Sequence, residues 1–408
     1  MLPLFVRHVT LPFRGLIGRY LNQSVDLMLK DTIFSSLFSI LLVIVDSKNR
    51  KKFVLSINKY VFAFLHRKKN FNNIINMTNT QVKLAKRPIG EPTDECWTID
   101  ESKVPVINDG EVLLKTLYLS IDPAMRGWMN ASRSYIKPVE IGDVMRALGA
   151  GEVVESKDAN FKKGDYVTGN TGVQEYAALP AKELVKVDPS FVDLPVYLGT
   201  LGMSGMTAYF GILDTGQPKE GETVVVSGAA GSVGSVVGQI AKIKGCRVVG
   251  IAGGKDKCDY VVNELGFDAC VDYKEDGLRK NLAKACPNGV DVYFDNVGGE
   301  ILDTLLTLIN KRARIVICGA ISQYNATEAS GPKNYLSLLV NRARMEGIVV
   351  FDNAANYGKA AKEMAGWIAA GKLNANYHVE EGGVRAFQET LMKLFSGANT
   401  GKMVLKVA

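Results

Sequence analysis

The run Val224-Val225-Val226-Ser227-Gly228-Ala229-Ala230-Gly231-Ser232-Val233-Gly234 joins a short apolar stretch to a glycine-rich turn and then to a segment with Val233, Val236, Val237, Ile240 and Ile243 on one helical face. Read from Ala229 as A-x-G-x-x-G, it is a relaxed form of the turn that lets backbone N–H groups and a helix N-terminus approach a pyrophosphate, because no bulky Cβ stands in the way. Gly231, Ser232, Val233 and Gly234 are therefore candidate cofactor residues. A glycine triplet alone also suits a tight helix–strand contact. The strand before it, the helix after it and a second apolar run at 247–251 together favour a dinucleotide. At the end of that second run stands Ala252-Gly253-Gly254-Lys255-Asp256-Lys257. A carboxylate there would bind a ribose 2′-hydroxyl and repel a 2′-phosphate, whereas two lysines around one aspartate favour NADPH, with Lys257 as the phosphate partner.

Other chemistries lack their residues. No G-x-x-x-x-G-K-[ST] run is present, which disfavours a nucleoside triphosphatase. Gly202-Met203-Ser204-Gly205 falls short of G-x-S-x-G, and after residue 76 the chain has a single histidine, His378, so Ser–His hydrolysis has little to stand on. The 6 cysteines include no C-x2-C or C-x4-C pair, so neither a zinc ribbon, a catalytic zinc nor a disulfide scaffold is expected. His378 reads as a surface or structural residue.

The elements that must position these groups are visible as rhythm. From Glu111 onward, short apolar runs at 112–114, 144–147, 151–154 and 166–167 alternate with turn residues such as Gly142-Asp143 and Lys163-Gly164-Asp165, the pattern of a compact, mostly β domain over about 80–195. After Pro195 the apolar runs lie farther apart, with room for crossover helices, and candidate strands fall at 223–227, 247–251, 269–272, 291–295, 314–318 and 347–351. Near-continuous Val and Ile means burial on both faces, as in a parallel sheet covered by helices. The fold class is therefore α/β, a doubly wound parallel sheet domain over 198–371 beside a mostly β domain over 77–197. The stretch 372–408 ends in Met403-Val404-Leu405-Lys406-Val407, a strand suited to return to the first domain.

Charge separates the first 76 residues from the rest. They carry 12 Lys+Arg, three Asp and no Glu, a net +9, while 77–408 is close to neutral at −2. The basic balance thus belongs to the leader, and no nucleic-acid partner is expected for the body. The longest uncharged leader stretch, 32–45, has 14 residues, short of the roughly 20 needed to span a bilayer, so no membrane span is expected. The leader reads as an irregular or disordered extension, transit-like or non-functional, with Met77 well placed to initiate the body. A cytoplasmic location is expected, or an organellar one if 1–76 acts as a transit peptide.

Three longer motifs carry a resemblance. Leu198-Gly199-Thr200-Leu201-Gly202-Met203-Ser204-Gly205-Met206-Thr207-Ala208-Tyr209-Phe210-Gly211, Tyr293-Phe294-Asp295-Asn296-Val297-Gly298-Gly299-Glu300 and Ile317-Cys318-Gly319-Ala320-Ile321-Ser322-Gln323-Tyr324-Asn325 look like the zinc-independent medium-chain dehydrogenases/reductases, of the prostaglandin reductase, alkenal double-bond reductase and curcumin reductase group. The similarity runs in order through about 80–408 and leaves out the leader. It implies a GroES-like β domain packed beside a Rossmann domain, with NADPH in the cleft, commonly as a homodimer. By motif, Gly231 to Gly234 would hold the pyrophosphate, and Gly253, Lys257 and Tyr273 the adenosine phosphate end. Asn296 would lie along the cofactor, with Cys318 to Tyr324 and Ile348, Val349 and Val350 on the nicotinamide side. Asn399, in Gly397-Ala398-Asn399-Thr400-Gly401-Lys402, matches a late cofactor-contacting asparagine. The 348–350 run also suits a buried sheet edge, and the two readings are compatible.

The implied substrate is a small enal or enone. Hydride at its β carbon builds charge on the carbonyl oxygen, so catalysis needs orientation, a hydrogen-bond donor at that oxygen and a proton at the α carbon. Tyr324 is the expected donor, relaying a proton with the nicotinamide ribose hydroxyl; as a structural residue it would only cap the loop after Cys318. Ile121-Asp122-Pro123-Ala124-Met125-Arg126 departs from many relatives, which carry tyrosine at the Ala124 position. The change enlarges the pocket, and Tyr135 is a candidate replacement hydroxyl. Arg126 suits either the substrate side or a structural ion pair. A quinone reductase, a secondary-alcohol dehydrogenase, a silent NADPH-binding protein and a leader-tethered form remain as alternatives.

Overall fold

The computed structural model describes residues 78–328 and 330–408, all within one compact unit, Asn76–Ala408. The readings of the leader and of Met77 lie outside them. Among the described residues no helix is long and apolar enough to cross a membrane.

Strands β1 (Thr78–Leu84) and β2 (Trp97–Lys103) form an antiparallel pair. β3 (Glu111–Ser120), β4 (Gly149–Ser156), β5 (Tyr166–Gly169), β6 (Tyr176–Pro180) and β7 (Val185–Val187) build a second sheet, which β14 (Tyr377–Glu380) and β15 (Lys402–Lys406) complete in the order β14-β15-β3-β4-β5-β7, with β6 on β3. β15 lies antiparallel to β3, Val404 opposite Ser120. The chain's last strand therefore closes the sheet begun some 280 residues earlier, and Met403 and Leu405 join Leu119, Ile121 and Met125 in one core.

Between these pieces lies a six-stranded parallel sheet of β8 (Thr223–Ser227), β9 (Arg247–Ala252), β10 (Ala269–Asp272), β11 (Val290–Asp295), β12 (Ile309–Ile317) and β13 (Arg344–Gly347), ordered β10-β9-β8-β11-β12-β13. In chain order that is 3-2-1-4-5-6, the Rossmann arrangement, whose ligand crevice opens at the carboxyl ends of the two central strands where the winding reverses. Every residue of β8 is buried. Val224 and Val226 pack on one face with Val236, Val237 and Ile240, while Val225 packs on the other with Leu282, Ile301 and Leu305. Two covered faces explain the unbroken Val run.

Two strands expected from the sequence are corrected. The last parallel strand is Arg344–Gly347, not 347–351: Gly347 is the final residue with a ladder partner, Ile317, and Val350–Asn356 turns into a 3-10 helix. β13 is an edge strand with all four residues exposed, so it has no need of the apolar residues that mark a buried one. The run 144–147 is no strand either. It is extended chain with a single bridge from Val144 to Lys83, pinned by Met145 N–H to the Val82 carbonyl at 2.8 Å. Met145 and Ala147 are fully buried, and alternation turns Arg146 between them to the other side.

Candidate active site

The cleft begins where β8 ends. Gly228 adopts φ +61°, a left-handed turn that favours glycine, and its carbonyl accepts the Gly231 N–H at 2.9 Å. The helix Ser232–Ile243 then starts so close to this turn that a Cβ at Gly234 would sit 2.3 Å from the Gly228 oxygen. Its first-turn Ser232 hydroxyl is buried without a hydrogen-bond partner. A helix N-terminus with an unused donor beside a glycine turn fits the pyrophosphate of a dinucleotide.

The neighbouring central strand presents Asn296. Asp295 is buried, and its Oδ1 accepts from the Ser227 hydroxyl at 3.0 Å, the Tyr293 hydroxyl at 2.7 Å and the Val297 and Gly298 N–H groups at 3.0 and 2.9 Å. That hub fixes the turn in which Asn296 Nδ2 donates to the Ser227 carbonyl at 2.7 Å, leaving its side-chain oxygen free. The Asp295 carbonyl accepts the Cys318 and Gly319 N–H groups, which places the loop after β12 beside it. Burial pushes the Cys318 thiol up to about 12, with help from the Asp295 charge, so it is an inert wall rather than a nucleophile.

Tyr324 closes this loop. Its hydroxyl oxygen accepts the Ala320 N–H at 3.2 Å, and Gly319 admits the phenol so closely that a Cβ there would lie 2.8 Å from the oxygen. With an acceptor position already filled, the O–H is left to donate. Burial raises its pKa above the ordinary 10.0 while the Ala320 bond opposes the rise, so at neutral pH the group is a phenol.

The end of the cleft at Lys257 is cationic. Lys257 donates to the Gly397 carbonyl at 2.5 Å, and its pKa is lowered by burial and then by the charge of Lys274. Two cations that repel each other fit a ligand dianion. Lys255, the other lysine of that turn, pairs with Asp259 on the surface. Tyr273 packs against Gly253, whose Cβ would stand 2.9 Å from the ring. Asn399 is buried with its Nδ2 on the Gly401 carbonyl, and Gly401 N–H bonds the Ala230 carbonyl at 2.7 Å, tying the C-terminal segment to the glycine turn.

Apart from Arg126 and His378, the residues weighed as site candidates in the sequence, Gly231, Ser232, Val233, Gly234, Gly253, Lys257, Tyr273, Asn296, Cys318, Tyr324, Ile348, Val349, Val350, Asn399, Ala124 and Tyr135, line one cavity of about 600 Å³. Lys274, Lys402, Arg146 and Trp128 line it too and were given no role by the sequence reading. Lys274 directly follows Tyr273, and Arg146 is a charge between buried apolar neighbours; those were the available signals. Lys402 is almost fully buried and donates to the Ile121 carbonyl at 2.6 Å and Asp122 at 2.8 Å, anchoring the segment that carries Ala124. Arg126 is structural and has no acidic partner among the described residues: it binds the Pro88 and Gly90 carbonyls and Asn130. His378 bonds Glu380 at 2.9 Å on β14, outside the cleft.

Two family models match, the N-terminal domain of oxidoreductase over residues 80–187 and zinc-binding dehydrogenase over 232–366. The residues do not fit the metal in the second description. Among the described residues no three His, Cys, Asp or Glu side chains are grouped to hold an ion, and the cleft offers only the Cys318 thiol and Asp122, already paired with Lys402. The chain is 44% identical over 339 residues to the NADPH-dependent curcumin reductase of Escherichia coli, covering 81% of this chain and 97% of that one. It is 41% identical over 341 residues to the NADP-dependent 2-alkenal reductase of Nicotiana tabacum, covering 81% and 98%. The crystal structure of CurA from Vibrio vulnificus in complex with NADPH superposes with a TM-score of 0.76 at 44% identity, over 81% of this chain and 99% of that one. With its Rossmann crevice, its second sheet and these relatives, the chain belongs to the medium-chain dehydrogenase/reductase family, in the group of the curcumin, 2-alkenal and prostaglandin reductases.

Proposed function

We propose that the protein is an NADPH-dependent oxidoreductase that reduces the C=C bond of α,β-unsaturated aldehydes and ketones. The observation that carries this reading is the Tyr324 phenol, kept protonated by burial and oriented by the Ala320 N–H, in the same cleft as the glycine turn. The curcumin and alkenal reductase relatives support the substrate class, and the NADPH complex of CurA supports the cofactor.

Gly231, Ser232, Val233 and Gly234 would hold the pyrophosphate, Lys257 and Lys274 the 2′-phosphate with Tyr273 and Gly253 beside them. Asn296, Asn399, Cys318, Ile348, Val349 and Val350 would line the rest of the cofactor. Bound NADPH supplies a hydride to the β carbon of the substrate. Tyr324 donates a hydrogen bond to the carbonyl oxygen as the electron pair moves there, stabilising the enolate, and holds the proton that the substrate must gain to become saturated. Ala124 and Tyr135 bound the substrate side. Ala124 adds one methyl to that wall, so the room for substrate is set by its neighbours rather than by an aromatic ring at that position.

The test follows NADPH absorbance with the full chain, an alkenal, an aryl enone and a quinone, with NADH in parallel. Oxidation by alkenal or enone to a saturated carbonyl product is expected. Turnover of quinone alone would replace the reading by a quinone reductase, and silence with tight NADPH binding would make it a binding protein.

The same proposal includes a homodimer. β13 is an open sheet edge carrying the exposed Met345, and just before it Tyr335, Leu336, Leu339 and Val340 are exposed, Leu339 at 75% and Val340 at 68%. A second copy that pairs edge to edge would cover both the unpaired backbone and the apolar cluster. Sedimentation at micromolar concentration should give twice the chain mass, and Leu339→Glu with Val340→Lys should halve it. A wild-type monomer overturns this.

A further inference from the structure

Of the three long motifs, 198–211 lends no side chain to the chemistry above, yet its helix Met203–Phe210 begins on the cleft: Met203, Ser204 and Thr207 all line the cavity. The chain is wedged where this helix starts. A Cβ at Gly202 would stand 2.3 Å from the Tyr197 carbonyl oxygen and one at Gly205 1.7 Å from that of Thr200, so the first turn has no room to shift. The Gly205 and Met206 N–H groups find the Gly199 and Gly202 carbonyls, each at 3.0 Å, while those of Met203 and Ser204 have no partner among the described residues. Thr207 commits its hydroxyl to the Met203 carbonyl at 2.8 Å. Ser204 does not. It is 6% exposed, its hydroxyl has no hydrogen-bond partner among the described residues, and unlike the Ser232 hydroxyl it is not sealed from the open space of the cavity it lines. A buried hydroxyl that meets the cavity and bonds nothing in the protein marks a place for a ligand atom.

Which ligand atom reaches it follows from the fold. With the adenosine phosphate at Lys257 and Lys274, as proposed above, a dinucleotide laid across the crevice brings its nicotinamide to the ends of β12 and β13, the other half of the sheet. The helix start is fixed to that end. The Tyr357 hydroxyl reaches Met203 Sδ at 3.7 Å and the Val350 carbonyl at 2.9 Å, and a Cβ at Gly211, just past the helix, would stand 2.7 Å from the Ile348 side chain. Ile321, Ile348, Val349 and Val350 give this part of the wall apolar side chains.

We propose that the Ser204 hydroxyl, at the N-terminus of its helix, donates to the carboxamide oxygen of the nicotinamide and so fixes which face of the ring is turned to the substrate. The inference rests on the cofactor placement above. An amide brought among apolar side chains needs a partner for its oxygen, and the positive end of a helix suits a carbonyl. Tyr324 is already assigned to the substrate oxygen, and Thr207 is bonded within its helix. Ser204 orients the ring and takes no part in bond making.

The test measures by calorimetry, with the full chain, the affinities of NADPH and of its thionicotinamide analogue, whose sulfur is a weak acceptor. The wild type should hold NADPH about 10-fold more tightly, the effect of one hydrogen bond made in a buried site. In Ser204→Ala the ratio should fall to about 1, and Ser204→Thr, which keeps a hydroxyl, should restore part of it. Because the hydroxyl bonds nothing within the protein, the Tm of free Ser204→Ala should stay within about 2 °C of wild type, while the rise in Tm given by saturating NADPH shrinks. A wild-type ratio near one, a ratio that survives Ser204→Ala, or an equal loss for both cofactors overturns the proposal. So does a variant that keeps the ratio but binds the saturated carbonyl product more weakly, which would give the hydroxyl to the substrate. Silence with every enone would sink the reductase reading, and the affinity ratio, read without turnover, would still decide the role of Ser204.

Discussion

Tyr324→Phe should lower kcat for enone reduction by about 10²-fold while changing KM little. The loss corresponds to roughly 2.7 kcal/mol of transition-state stabilisation, the usual effect of removing one donor from a developing oxyanion. KM is spared because the strong interaction forms only as charge reaches the oxygen; the ground-state carbonyl is a weak acceptor. Phenylalanine keeps the ring that fills the space beside Gly319, so the fold and NADPH binding should hold. The wild-type pH profile carries a second signature. Burial raises the Tyr324 pKa above 10.0, so the donor is present at and below neutral pH and is lost only as pH rises through that elevated value. The rate should therefore stay flat from about pH 7 to 9 as far as this group is concerned. An equal fall in kcat and affinity for the substrate, or a variant with wild-type kcat, would reduce Tyr324 to a cap on its loop.

The second large effect concerns the choice between cofactors. Lys257→Ala should reduce the preference for NADPH over NADH by about 30-fold, and Lys257→Ala with Lys274→Ala by about 10²- to 10³-fold, measured as the ratio of kcat/KM for the two cofactors. The two lysines repel each other, so their effects should not simply add. The same repulsion gives a pH dependence. Burial and Lys274 lower the Lys257 pKa below 10.5, so the preference is fully present while Lys257 is protonated and is lost as pH rises through the lowered value. Bound 2′-phosphate moves the value back up, which means that NADPH binding takes up protons at alkaline pH. A double variant that still prefers NADPH would transfer the phosphate site elsewhere in the cleft.

Much of the site is local and was legible in the sequence. The turn at Gly228 and the close start of the helix at Gly234 are short-range steric requirements, written as glycine at the positions where a Cβ has no room. The unbroken Val run of β8 encodes burial on two faces because the period of a strand allows nothing else. The three longer motifs already placed Asn296, Cys318 and Tyr324 together through the family they resemble. Where burial is absent the same reasoning misplaced the chain: β13 is polar because an edge strand needs no apolar face, so the apolar residues just after it were read as the strand.

The sequence by itself determined the parallel-sheet class and the glycine turn after β8, because each depends on residues within one or two turns of chain. Only the tertiary structure decided which charges meet. Of the two lysines after β9, one pairs with Asp259 on the surface while the other lines the cleft with Lys274 from the turn after the next strand. Lys402 reaches Asp122 across 280 residues because β15 returns to β3. Arg146 looks into the cleft because Met145 and Ala147 are taken by the core on its other side. Such meetings depend on the return path of the backbone and on which neighbour wins a buried position, and neither leaves a periodic trace in the residues themselves.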